Sequence, residues 1–200
     1  MKVIYLFLAI ILILPVFSSS VHAREKYSDI NSSHWAFAEI NYLSAKGIIN
    51  GHSDGSFKPN KSINRIDAAK MIALALDLTI KNRPNPNFSD MKPGDYGYEY
   101  AATLSDEGIM TGRRGEFKPH EPLTRAEMAK IITIAFKLTF YHDAKFKDVP
   151  NDYWAFDYIN ILAANDITLG KERNIFAPND FTTRAEFSVF MARALDDNFK

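Results

Sequence analysis

Cysteine is absent from all 200 residues, which excludes disulfide staples, thiolate metal sites and thiol catalysis. An excess of charge of either sign is also missing. Lysine plus arginine number 24 and aspartate plus glutamate number 24, so no overall basic field draws the chain to nucleic acid or to an anionic membrane. Recognition of an anion therefore has to be local. His22, His34, His52, His120 and His142 have no paired spacing that suits a metal and read as surface residues. No cofactor is expected.

Long apolar runs are scarce as well. The one that stands out, Val3 to Phe17, has 15 residues and contains Pro15, short of the roughly 20 needed to span a bilayer. Met1-Lys2 precede it and Ser18-Ser19-Ser20 and Val21-His22-Ala23 follow, the pattern of a secretory signal cleaved after Ala23. An uncleaved anchor is the competing reading. On the favoured one the chain is secreted and has no stable membrane span after cleavage. The remainder, within a chain that is 46% hydrophobic, suffices for one core of ordinary domain size.

What is abundant is repetition. Arg65, Arg125 and Arg184 are separated by 60 and 59 positions, and Phe57-Lys58-Pro59, Phe117-Lys118-Pro119 and Phe176-Ala177-Pro178 keep the same intervals. Upstream, Tyr27-Ser28-Asp29-Ile30, Phe88-Ser89-Asp90-Met91 and Phe146-Lys147-Asp148-Val149 recur in the same order. The expected division is a signal over 1–23 and repeats over 24–84, 85–143 and 144–200.

Each unit reads as helix, glycine-bearing loop, helix. Trp35, Ala36, Ile40 and Leu43 fall at helical spacing, and Gly47 is placed to end that helix in a left-handed turn. Trp154, Ala155, Ile159 and Leu162 repeat the pattern. The second helix opens on Thr124-Arg125-Ala126-Glu127 and Thr183-Arg184-Ala185-Glu186, both capping boxes, whereas the first copy has Asn64-Arg65-Ile66-Asp67, in which Asn can cap and Asp is a shorter reciprocal partner. Apolar runs follow (Ala68 to Leu78, Met128 to Leu138, Phe187 to Leu195), so the second helices are expected to pack against one another across the repeats.

A unit of Phe-x-Asp-Val, Trp-Ala, Gly-Ile-x-x-Gly, Gly-x-Phe-x-Pro and Thr-Arg-Ala-Glu, followed with substitutions in each of three copies, resembles the S-layer homology family. The resemblance implies an all-α fold, three helix–loop–helix repeats in a pseudo-threefold arrangement around packed central helices, with grooves between adjacent repeats. It further implies binding of a secondary cell-wall polysaccharide bearing a ketal-linked pyruvate on N-acetylmannosamine, and a place at the bacterial surface, in the cell wall or S-layer. The copies are unequal: Tyr96-Gly97 replaces Trp-Ala in the second, Asp166 replaces glycine in the third, and the first has the altered capping sequence. The grooves are therefore expected to differ in affinity.

The arginine at the first helical position is the residue hardest to explain locally, because a helix N-terminus disfavours a cation by about 0.3–1 kcal/mol. One reading is an anionic ligand: helix N–H groups and the guanidinium of Arg65, Arg125 or Arg184 together suit a carboxylate. The other is an internal ion pair with Asp29, Asp90 or Asp148. Those aspartates have two readings too, as acceptors of sugar hydroxyls or as caps and arginine partners. Trp35 and Trp154 either offer a ring face to a sugar or join the core. The resemblance favours the ligand reading and makes Asp29, Trp35, Arg65, Asp90, Arg125, Asp148, Trp154 and Arg184 the candidate polysaccharide-binding set. Glu127 and Glu186 are assigned to capping.

No nucleophile stands beside a base and no acid–base carboxylate pair emerges from the repeat. A non-catalytic anchor is thus the leading expectation. The rival is an assembly subunit whose repeats engage another surface protein.

Overall fold

The computed structural model describes residues 26–143 and 146–200; the expected signal over 1–23 lies outside the described residues. Six helices follow one another: α1 (Phe37–Ala45), α2 (Arg65–Ala75), α3 (Tyr98–Asp106), α4 (Arg125–Ala135), α5 (Phe156–Ala164) and α6 (Arg184–Leu195), with a 3-10 turn at Asp197–Phe199. Among the described residues there is no strand, only isolated backbone bridges. The fold is all-α, as the sequence pattern implies.

The short helices α1, α3 and α5 each stop in a left-handed turn. In α1 the backbone N–H of Gly47 donates to the Ser44 carbonyl and that of Ile48 to the Leu43 carbonyl, which satisfies carbonyls the helix end would leave open. Gly47 and Gly108 sit at φ +71° and +68°, and Asp166 adopts φ +58° at the same place. Asp tolerates this conformation better than most side chains, so its substitution for glycine leaves the turn intact. The Tyr96-Gly97 departure does change the local backbone. Gly97 lies at φ +80°, and a Cβ there would stand 2.4 Å from Ile66 Cγ1; Ala36 and Ala155, its counterparts, are at φ −106° and −104°.

At the longer helices the capping boxes form as read. Thr124 and Thr183 accept from the backbone N–H of Glu127 and Glu186, whose carboxylates accept from the threonine N–H groups in return. Asn64 makes no side-chain cap bond, contrary to the expectation that it caps. With Asp67 one carbon shorter than Glu, the reciprocal half of the box is out of reach and the motif lapses as a whole.

The main helix packing runs between repeats but not as expected. The second helix of each repeat lies chiefly against the first helix of the next: α2 on α3, α4 on α5, and α6 back on α1, with the second helices touching one another less. The chain thereby closes into a ring. Three backbone bonds mark its axis: Ile63 N–H donates to the Thr182 carbonyl (2.9 Å), Thr182 N–H to Leu123 (2.8 Å), and Leu123 N–H to Ile63 (3.1 Å). All three residues are fully buried.

Repeat 3 places a threonine where the others have Ile63 and Leu123, and the Thr182 hydroxyl has no hydrogen-bond partner. A buried unsatisfied hydroxyl costs about 1–3 kcal/mol. Thr182→Val, which keeps the shape and deletes the hydroxyl, is expected to stabilise the protein by about 1 kcal/mol, raising Tm by roughly 2–4 °C for a chain of this size. A lower Tm for this variant would show that the hydroxyl is satisfied in solution.

Candidate functional site

The loop joining the two helices of a repeat is anchored by the aspartate of Phe-x-Asp. Asp29 accepts from the backbone N–H groups of Phe57 (2.6 Å) and Lys58 (2.8 Å); Asp90 does so from Phe117 and Lys118, and Asp148 from Phe176 and Ala177. This clamp holds a strained backbone, since Lys58, Lys118 and Ala177 all lie near φ +60°, where an L-residue without glycine's freedom is disfavoured by roughly 1–2 kcal/mol. The internal Arg–Asp ion pair does not form: the carboxylates are spent on the loop.

The arginines reach forward into the next repeat. Arg65 donates from Nε to the Phe117 carbonyl (2.8 Å) and from Nη2 to that of Thr111 (3.3 Å). Arg184 does the equivalent with Phe57 (2.9 Å) and Asn50 (3.1 Å). Arg125 donates to the Phe176 carbonyl (2.7 Å) and pairs through Nη1 with Glu186 Oε1 at 3.1 Å. Each guanidinium also lies over the phenylalanine of the loop it enters, 5.1, 4.8 and 4.6 Å from the rings of Phe117, Phe176 and Phe57, and that ring in turn contacts Phe88, Phe146 or Tyr27. The favourable charge–ring and carbonyl contacts outweigh the unfavourable position at the helix start.

One part of the anion-site expectation is corrected here. The first N–H groups of the long helices are consumed by the next repeat: Arg65 and Ile66 donate to the Glu121 and Pro119 carbonyls, Arg125 and Ala126 to Asp180 and Pro178, Arg184 and Ala185 to Lys61 and Pro59. With the third position capped by threonine in α4 and α6, the guanidinium faces the open groove without help from the helix end.

Among the described residues three such grooves are seen, and each draws on all three repeats. The first, about 180 Å³, joins Arg184 with His52 and Lys70 of repeat 1 and Tyr96 of repeat 2. The second, about 450 Å³, joins Arg65 with Arg113 and Lys130 of repeat 2 and Trp154 of repeat 3. The third, about 350 Å³, joins Arg125 with Leu169 and Lys171 of repeat 3 and Trp35 of repeat 1. Trp35, Tyr96 and Trp154 are 61%, 67% and 54% exposed, so both tryptophans stand at groove rims and not in the core. Tyr96 takes the equivalent place in the first groove. The structure thus brings Arg65 to Trp154 and Arg125 to Trp35, while Asp29, Asp90 and Asp148 support the loops and do not line the grooves.

Burial pushes the Arg65, Arg125 and Arg184 side chains below the usual arginine value; nearby Glu127, Glu186 and Asp67 respectively oppose this. Among the described residues no carboxylate lies within ion-pair distance of Arg65 or Arg184. Their charges are desolvated by the protein and met by carbonyls and a ring but by no paired carboxylate, an arrangement that an anion would complete. His52 is a further groove residue that the sequence reading left on the surface. It is half-buried, its Nε2 has no partner, and burial together with Lys58, Arg184 and Lys61 pushes it below the ordinary histidine value, against the weaker effect of Asp54. The signal in the sequence was positional: His52, Arg113 and Lys171 each follow the loop glycine Gly51, Gly112 or Gly170. Among the described residues no cluster of side chains is arranged to hold a metal ion.

Three helix–loop–helix repeats closed into a ring, with a groove at each junction, are the architecture that the resemblance implies. The S-layer homology domain model matches residues 26–69, 87–129 and 145–188, and the chain belongs to that family. Similar proteins include an S-layer protein of Bacillus thuringiensis subsp. finitimus, 31% identical over 89% of this chain and 22% of its own length. The surface-layer 125 kDa protein of Lysinibacillus sphaericus is 33% identical over 92% of this chain and 16% of its own. An uncharacterized cell wall amidase of Bacillus anthracis is 31% identical over 93% and 34%. The chain therefore spans about a third or less of the length of these relatives.

Proposed function

We propose that the chain is a non-catalytic anchoring module of the bacterial surface that binds a pyruvylated secondary cell-wall polysaccharide through its inter-repeat grooves. The observation that carries this reading is the pair of desolvated guanidiniums, Arg65 and Arg184, each outside ion-pair distance of any described carboxylate and facing an open groove beside an exposed aromatic ring. A ketal pyruvate supplies the missing counter-charge through a charge-assisted hydrogen-bond pair, and a pyranose face suits Trp154 or Tyr96. In this reading Arg125 and Trp35 line a third, distinct groove, and Asp29, Asp90 and Asp148 act by holding the loops.

The comparisons support a transferable role. Proteins named as S-layer proteins and as a cell wall amidase share this same segment over most of its length, which is how an attachment module behaves when the rest of each protein differs. No helix among the described residues is long and apolar enough to cross a membrane.

Co-sedimentation with purified wall glycan, intact or stripped of its pyruvate ketals, tests it. Loss of a charge-assisted pair worth about 1.5–3 kcal/mol predicts retention at least about ten-fold weaker on stripped glycan, with binding to intact glycan weakening as salt is raised. Undiminished retention on the stripped glycan would remove the pyruvate from the recognition, and no retention on either glycan would instead favour an assembly subunit recognising another surface protein.

A further inference from the structure

The third groove differs from the other two in the partner of its arginine and in two residues of its walls. Its arginine is already neutralised: Arg125 pairs with Glu186 at 3.1 Å, lies between the rings of Phe176 and Phe190 at 4.8 and 5.5 Å, and is only 2% exposed. The cause is a change of partner. In the second groove the corresponding carboxylate, Glu127, is drawn off by the loop cation Arg113 at 3.3 Å, which leaves Arg65 unpaired. In the third, the loop cation Lys171 goes to Asp180 at 2.5 Å, so Glu186 is free to take Arg125.

The walls change in the same direction. Val189 stands where the other grooves have Lys70 and Lys130, one turn into the second helix, and Leu169 stands where they have Asn50 and Thr111. Leu169 is 79% exposed and faces the same groove as Trp35. Arg193 also lines this groove, but it lies about 13 Å along α6 from the first helical turn and donates to the Ile167 and Phe199 carbonyls.

We infer that the third groove is a subsite for an uncharged, N-acetylated sugar residue of the wall glycan, with Trp35 under the pyranose ring and Leu169 and Val189 against the acetamido methyl. This rests on the reading of the chain as a glycan anchor and divides its grooves into two for acidic sugars and one for a neutral neighbour. A single polymer chain alternating the two kinds of residue would then engage the module at more than one point, and its avidity would exceed that of either site.

The chain carries two tryptophans, one at the second groove and one at the third, so each of these two grooves has its own reporter. The protein labelled with 5-fluorotryptophan gives two fluorine resonances, assigned with Trp35→Phe and Trp154→Phe. It is titrated with the methyl glycoside of pyruvylated N-acetylmannosamine and, separately, with the same glycoside lacking the ketal. The Trp35 resonance is expected to move with the neutral sugar at concentrations no higher than the acidic one needs, and with a midpoint insensitive to salt. The Trp154 resonance is expected to require the ketal and to weaken with salt. Glu186→Gln, which keeps an oxygen for the Thr183 cap but frees Arg125, is expected to improve acidic-sugar binding at Trp35 by about ten-fold or more. A Trp35 response that prefers the acidic sugar ten-fold in the unmodified chain overturns the inference, as does no response to the neutral sugar at tens of millimolar. Silence of Trp154 toward the acidic sugar, with Trp35 answering the neutral one, would overturn the acidic assignment of the second groove and leave this one standing.

Discussion

A chain ending at residue 143 is expected to lose its cooperative fold, although two complete repeats remain. In a linear array of repeats each unit touches only its neighbours, and removing the last one costs one interface. Here the third repeat closes the ring, so its removal opens two interfaces. The face of α4 that packs on α5 is bared, and so is the face of α1 that packs on α6. The axial triangle loses both bonds of Thr182, and the N–H groups of Arg125 and Ala126 lose the Asp180 and Pro178 carbonyls. Arg125 also loses Phe176 and Glu186. Each orphaned buried group costs about 1–3 kcal/mol, and the stability of a domain is only about 5–15 kcal/mol in total. Far-UV circular dichroism should show a weak helical signal with no sigmoidal melt, recovered on adding residues 144–200 as a separate chain. A two-repeat chain melting cooperatively near the parent Tm would mean that the repeats are stable in pairs and the closure is incidental.

This closure marks the boundary of what the sequence discloses. The repeat period, the two threonine capping boxes and the left-handed helix stops are local patterns, and a reader of residues alone recovers them because their partners sit within a few positions. The direction of coupling between repeats is not local. Arg184 meets the Phe57 carbonyl across 127 positions, and a threefold periodic sequence is equally consistent with that arginine serving its own repeat, the next or the previous one. For the same reason the spacing is compatible with a pairing of Arg and Asp within a repeat, while in three dimensions Asp29, Asp90 and Asp148 clamp the strained loop of their own repeat. The unequal copies were visible as letters, but their effects differ in kind. Asp166 changes nothing in its turn, Gly97 reshapes the approach to α3, and Val189 with Leu169 alters the chemistry of a groove. Only the fold assigns these departures to a turn, a helix start and a wall.

The arginines then offer a comparison in which stability and binding should rank in opposite order. Arg65→Ala removes two hydrogen bonds from a charged donor to carbonyls and a stack on Phe117, a loss on the order of 3 kcal/mol after allowing about 0.3–1 kcal/mol regained by removing a cation from the helix start. A fall in Tm of roughly 6–12 °C follows. This differs from the near-neutral effect that the helix-start argument alone suggests, because the guanidinium is a staple between repeats as well as a groove residue. Arg125→Ala should cost more, since it also leaves the carboxylate of Glu186, 17% exposed, without its partner, and breaking a buried pair costs about 3–5 kcal/mol. For binding of intact wall glycan by the folded protein, the order reverses. Arg65 is not ion-paired and faces the largest of the three grooves, so its loss is expected to weaken binding ten-fold to more than a hundred-fold. Arg125 is already neutralised, and its replacement should weaken binding by less than about three-fold. Melting curves and glycan affinities measured on the same preparations, below the lower Tm, separate the two effects. If binding fell in step with stability across both variants, the arginines would be structural staples alone and the acid-recognition role assigned to Arg65 would be wrong.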